Sequence, residues 1–238
     1  MTGLRGIGLA LVVLFVVGMS GPAGSTPAKT TTSAATVNVA SDRSTAQAIN
    51  LTSADLVGWQ ESPNPPNASD QSLNSQMSAC AGGPAPKTID VVDVTSANFD
   101  KGPTELSSDV TMVRTHADGL ADLRSIRGHK ALGCFRRVLV PLLTQQLPGV
   151  KVAKLKVSDF RPSESLPDEF GIQLSLTLSG KPNGVSVSIS LSIREIGFLV
   201  DRAEVSLNES EKGKATPVSI ESTLIHTLDQ RARANTSA

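Results

Sequence analysis

The sequence has no tyrosine, one tryptophan and six phenylalanines in 238 residues, so it lacks the raw material for an aromatic platform that stacks nucleobases or sugars. It has no excess charge of either sign. With 22 basic side chains against 22 acidic ones, the electrostatic footprint of a nucleic-acid binder is excluded. Charged residues make up 18% of the chain and apolar ones 39%, which excludes a chain disordered throughout. The length allows one domain, or one domain and a tail.

Catalytic signatures are missing too. There is no Gly-x-Ser-x-Gly nucleophile elbow and no penicillin-binding Ser-x-x-Lys set. Gly82-Gly83 precedes Pro84 rather than a helix carrying Lys-Ser/Thr, so it is no phosphate loop. Only two cysteines occur, Cys80 and Cys134, and they do not form a CxxC redox motif. A zinc site would need two more ligands, and His116, His129 and His226 do not fall at ligand spacing. An isolated pair in an exported chain is expected to form one disulfide, closing a loop of roughly 55 residues and contributing ~4 kcal/mol in the chain-entropy model.

Export itself is read from the N-terminus. Arg5 precedes an apolar run, Ile7–Met19, and small residues follow it. A helix of that run spans roughly 20 Å, short of the ~30 Å hydrocarbon core. The layout predicts a signal peptide over residues 1–23, cleaved after Ala23 or Ala28. An uncleaved anchor is the alternative. No twin-Arg pair is present, and no cysteine follows the run to carry a lipid. Residues 24–47 are dominated by Thr, Ser, Ala, Pro and Val and read as a disordered tether. A single domain is expected over 48–234. Asn50, Asn67, Asn208 and Asn235 head Asn-x-Ser/Thr sequons, which matter only if the host glycosylates exported chains.

Within the domain, Thr52 or Ser53 can cap a helical turn that Gly58 ends, and a short helix is predicted over Gln71–Ala79. Strands follow at Ile89–Thr95 and Val110–Thr115, with a turn at Gly102-Pro103. A long helix spans Asp118–Leu147, broken at Gly128, with Pro141 either kinking it or beginning its final turn, and with Leu132, Phe135, Leu139 and Leu142 on one apolar stripe. Cys134 lies at the edge of that stripe, so the disulfide would pin the Gln71–Ala79 helix against it. Val150–Phe160 is a strand. Strict alternation at Phe170, Ile172, Leu174, Leu176, Leu178 and again at Val185, Val187, Ile189, Leu191, Ile193 marks a hairpin with one buried face. A further strand, Phe198–Leu207, pairs across Gly197. Thr216-Pro217 opens a last helix with Ile220, Leu224 and Leu228 inward. The expected fold class is α+β, an antiparallel sheet with the long central helix and the C-terminal helix packed on one side.

The Asp-Leu-Val-Gly-Trp opening (Asp55–Trp59), the lone pair Cys80 and Cys134, and the closing Asp-Gln-Arg-Ala-Arg (Asp229–Arg233) resemble small exported envelope proteins of actinobacteria. The element order is similar to the PsbP/Mog1-like sandwich of mycobacterial envelope lipoproteins and, more loosely, to extracellular sensor domains of actinobacterial kinases. The resemblance covers about Ile49–Arg233; the chain departs from it by lacking a lipobox cysteine and a kinase. It implies a non-enzymatic envelope or sensor-like role, and carries over no catalytic residue.

The remaining candidates are charges and one aromatic. Asp90 with Asp93, and Asp118 with Asp122 one helical turn apart, can serve acid–base work or bind a cation, but exposed carboxylates are far more often solvated surface, and they are read so here. Trp59 is expected in the core. The stretch Leu123–Ser158 holds eight basic residues and no acid. Lys130, Arg136, Arg137, Lys154 and Lys156 form the candidate contact surface, for anionic lipid, wall polymer or another envelope protein; its plain alternative is a solvated helix face. No cofactor, metal or nucleic acid is expected. The reading is a non-catalytic binding or sensor-type module; a cell-envelope hydrolase with a scattered site, a membrane-anchored accessory protein and a scaffold without a ligand are the alternatives.

Overall fold

A computed structural model describes residues 37–65, 68–162, 166–181, 186–212 and 218–236. The predicted signal segment, most of the tether, Asn67 and the Thr216-Pro217 cap lie outside the described residues. The chain runs α1 (Val39–Ile49), β1 (Gln60–Ser62), α2 (Ala68–Ala81), α3 (Pro86–Ile89), β2 (Asp90–Thr95), β3 (Asn98–Lys101), β4 (Thr104–Val113), α4 (His116–Ile126), α5 (His129–Gln146), β5 (Val150–Asp159), β6 (Phe170–Gly180), β7 (Val187–Val200), β8 (Ala203–Glu211) and α6 (Val218–Thr236).

The eight strands form one antiparallel sheet in the order β1-β3-β4-β8-β7-β6-β5, with β2 beside β3 on the same edge of β4. Alternation then divides the side chains between two faces. One face carries Phe170 to Leu178 of β6 and Leu191, Ile193 and Leu199 of β7, which pack on Leu73 and Met77 of α2, Leu123 and Ile126 of α4, and Phe135, Leu139 and Leu143 of α5. The other carries Ile196 and Phe198 of β7, Val205 and Leu207 of β8 and Leu106, Val110 and Met112 of β4, beneath Ala46 and Ile49 of α1 and Leu224, Ile225 and Leu228 of α6.

The sheet is therefore covered on both sides, and α5 and α6 lie on opposite faces rather than together. β8 explains this arrangement. Ala203, Val205 and Leu207 stand on one of its sides and Glu204, Ser206 and Asn208 on the other, yet only Ser210 of its nine residues is not buried, so a single layer of helices would leave one face wet.

Helix α1 stands where the sequence reading continues the tether to residue 47. Asn38 caps it, accepting from Ser41 N at 3.2 Å, and Arg202 reaches Asp42 with Nη2 at 2.9 Å. Ala46 and Ile49 are fully buried. Long-range packing thus orders a segment whose composition alone favours a coil. The two ends of the quoted likeness also meet: Arg231 of α6 binds Asp55 through both guanidinium nitrogens at 2.6 and 2.9 Å, and donates to Asn50 O.

Gly128 separates α4 from α5, and α5 runs on through Pro141 with Leu139 and Leu143 buried on either side of it. Gly197 is no turn: β7 continues to Val200, and β8 begins after Asp201-Arg202, with Asp201 in the left-handed region. A Cβ at Gly197 would stand 2.3 Å from Phe170 Cε1, so glycine is what lets the ring lie across the strand. Cys80 and Cys134 are joined, with Cα atoms 5.7 Å apart, tying the end of α2 to α5.

Candidate functional site

Two sets of side chains are distinguished by their surroundings. The first lies under α4. Asp93, Thr111 and Glu204 form one row across β2, β4 and β8, and Thr111 Oγ1 donates to Asp93 Oδ1 at 3.2 Å. Further along β8, Ser206 pairs with Asp109, and Asn208 pairs with Glu195 of β7. Asn208 Nδ2 donates to Asp109 Oδ2 at 2.6 Å. α4 brings Asp118 and Asp122 on consecutive turns, and its Gly119 lies against Leu199 and Glu204. A Cβ there would stand 3.1 Å from Glu204 Oε1 and 2.7 Å from Leu199 Cδ1.

Glu195 is 1% exposed, Glu204 3% and Asp122 not at all, while Asp93 sits at the rim in contact with solvent. Both Glu204 oxygens, Glu195 Oε1 and Asp90 Oδ1 are buried without a hydrogen bond, as are the hydroxyls of Ser125 and Ser206. Among the described residues no ion pair reaches Asp90, Asp93, Glu195 or Glu204. Burial without a counter-charge disfavours the ionised form. It pushes Asp90 up to about 8, with the charges of Asp93 and Asp122 adding to it. Burial likewise holds Glu204 well above the usual carboxylate range, reinforced by Asp122, Asp90, Asp118 and Asp93. Glu195 is raised well above it by burial, then by Asp109 and Asp122.

Such a cluster can store protons and donate hydrogen bonds as carboxylic acids. Among the described residues no three His, Cys, Asp or Glu side chains are arranged to hold a metal ion. Glu195 also borders a cavity with room for about one water, between Met77, Ser78, Ser125, Ile126 and Phe135.

The two aspartate pairs read as solvated surface therefore come together in one cluster, which runs from the exposed Asp93 through the half-buried Asp90 and Asp118 to the buried Asp122. Glu195 and Glu204 had no place in the sequence reading. Glu195 was within reach of it, since it takes the next inward step after Leu191 and Ile193.

The second set is basic and lies along β5, the free edge of the sheet. A register shift between Val152 and Lys154 brings Lys151, Lys154 and Lys156 to one face, opposite Ser179, Thr177 and Ser175 of β6. These pair in turn with Ser188, Ser190 and Ser192 of β7. The result is three rows, each a lysine followed by two hydroxyls, about 4.8 Å apart from strand to strand. All three lysines are exposed. Glu211 of β8 ends the Lys156 row.

Arg136 of α5 donates to Leu155 O at 2.9 Å, so it ties the helix to this edge strand. Lys130 and Arg137 are exposed elsewhere on α5: the Lys130 ammonium approaches Gly82, and Arg137 Nη2 stands 4.0 Å from Cys134 Sγ.

The other candidates are accounted for singly. Trp59 is half-buried with Lys101 Nζ 5.8 Å from its ring centre, not enclosed in the core. His116 Nδ1 meets Asp201 O at 2.6 Å, His226 pairs with Gln230, and all three histidines are exposed and apart. Asn50 and Asn208 are buried and hydrogen-bonded, which withdraws both as glycan acceptors in the folded chain. A second charged knot lies on the opposite face of the sheet. There Arg194 bonds Glu221, reaches Glu209 at 3.4 Å and stacks 4.3 Å from the Phe160 ring centre.

No family model and no curated protein matches the chain. Among solved structures it is similar to the extracellular domain of PknH from Mycobacterium tuberculosis, with 11% identity and a TM-score of 0.35 over 79% of this chain and 96% of that one. It is also similar to PA94, a protein of unknown function from Pseudomonas aeruginosa, with 14% identity and a TM-score of 0.22 over 62% of this chain and 81% of that one. Neither comparison assigns the chain to a family.

Proposed function

We propose that this is an exported, non-catalytic binding module of the cell envelope whose lysine-edged sheet face docks on anionic lipid headgroups. The observation that carries this reading is the grouping of Lys151, Lys154 and Lys156 on one exposed face, each followed by paired hydroxyls. Lysines supply long-range attraction to phosphate, at about 1 kcal/mol each near an anionic membrane. Serine and threonine hydroxyls supply short donors that follow a headgroup layer without demanding one geometry. The disulfide fits an oxidising compartment, which supports export. Among the described residues no helix is long and apolar enough to cross a membrane.

The test is co-sedimentation with vesicles of phosphatidylglycerol and phosphatidylcholine against phosphatidylcholine alone, over a range of salt. Binding is expected only to the anionic vesicles, weakening steeply with salt, and at least about thirtyfold weaker in Lys154→Glu/Lys156→Glu. Equal binding to neutral vesicles, or an unchanged affinity in the double variant, overturns the reading. Capture by a soluble polyphosphate with no vesicle binding would move the ligand from membrane to polymer.

A further inference from the structure

We propose that the carboxylates gathered beneath α4 form a buried proton-binding site, in which Glu204, Glu195 and Asp90 hold protons while α4 is docked on the sheet and release them as α4 lifts away. The geometry supplies the argument. Glu204 is 3% exposed, neither of its oxygens has a hydrogen bond, and its carboxyl lies against Gly119, within the cluster formed with Asp90, Asp93, Asp118 and Asp122. The groups facing it from each packed element are acids: Asp90 and Asp93 from β2, Asp118 and Asp122 from α4, with Asp109 of β4 and Glu195 of β7 further along the same face. The cations nearby in sequence are engaged elsewhere. Arg114 donates to Thr88 O, Arg202 to Val113 O and Asp42, and His116 meets Asp201 O. Several carboxylates cannot stay ionised together in such a place, and proton uptake removes both the repulsion and the desolvation cost. The exposed rim position of Asp93 gives the protons a route to solvent.

The sign follows from the raised values. In the unfolded chain these groups titrate near pH 4. In the folded chain they keep their protons up to about 8 for Asp90. Their contribution to stability is therefore complete below about pH 4 and is lost as pH rises toward 8. Each proton held only by the folded state raises the unfolding constant about tenfold per pH unit.

The experiment is urea unfolding of the full chain between about pH 5 and 8, for the wild type, Glu204→Gln and, as a control, Asp159→Asn on the exposed end of β5. The wild type is expected to lose stability steadily with pH. Glu204→Gln, which carries a permanently neutral amide, should have a slope shallower by about tenfold per pH unit, and the control should follow the wild type. Infrared spectra of the folded wild type need no variant and cover the case in which Glu204→Gln does not fold. They should show the carboxylic-acid carbonyl stretch at neutral pH, absent in urea. Amide exchange, corrected for its intrinsic pH dependence, should show α4 losing protection with pH before α6 does. Equal slopes in wild type and Glu204→Gln, no acid band in the folded protein, or stability that rises with pH overturns the proposal. So does a slope abolished by a few millimolar Ca2+, which would make a metal the occupant.

Discussion

Phe170 lies across β7 at Gly197, and the ring fills the space a side chain would take. Gly197→Ala is expected to lower stability by about 1–3 kcal/mol, an overpacking cost that shifts Tm down by roughly 2–10 °C, measurable by thermal unfolding. At this scale the sequence is a partial guide. The hairpin positions Phe170 to Leu178 and Leu191 to Ile193 face inward as their alternation predicts. The same alternation carried two steps further reaches Glu195 and then Gly197, so one of the two buried glutamates of the cluster was legible. Glu204 was not. In β8 it alternates with Ala203, Val205 and Leu207, which reads as a strand with a wet polar side, and only the packing beneath α4 encloses that side. Asp90, Asp93, Asp118 and Asp122 look like ordinary surface charge until the fold sets α4 against β4 and β7, beside β2.

At the scale of elements, the disulfide joins α2 to α5 as the apolar stripe of α5 suggested, and both helices press on the β5–β7 half of the sheet. Cys80→Ser/Cys134→Ser should cost about 2–4 kcal/mol, read as a lower urea midpoint under non-reducing conditions. The loss should appear first as faster amide exchange in α2, which the bond fastens at its C-terminal end. Strand pairing was the harder part. The Gly102-Pro103 turn is real, but it joins β3 to β4, and the short strands β1 and β3 carry too few residues to show a period. The tail of the expected tether folds as α1 because Asp42 and Arg202 meet across 160 residues of chain, a contact no local pattern encodes.

At the scale of the whole molecule, α1 packs on the sheet ahead of residue 48, where the domain is expected to start. A chain starting at residue 48 loses Asp42 and Ala46 and uncovers part of the face that α1 shares with α6. It should be less stable than one starting at residue 37 by roughly 2–4 kcal/mol, with Tm about 5–15 °C lower in a direct comparison. The order of the sheet has a bearing on how such a chain is made. Among the described residues β8, the last strand in sequence, lies between β4 and β7 and is the one strand that joins the β1–β4 and β5–β7 portions. A chain synthesised from its N-terminus therefore has two half-sheets with open edges until residues 203–211 arrive. Closure of the sheet waits on β8, and an interruption before that point leaves an adhesive intermediate instead of a smaller domain.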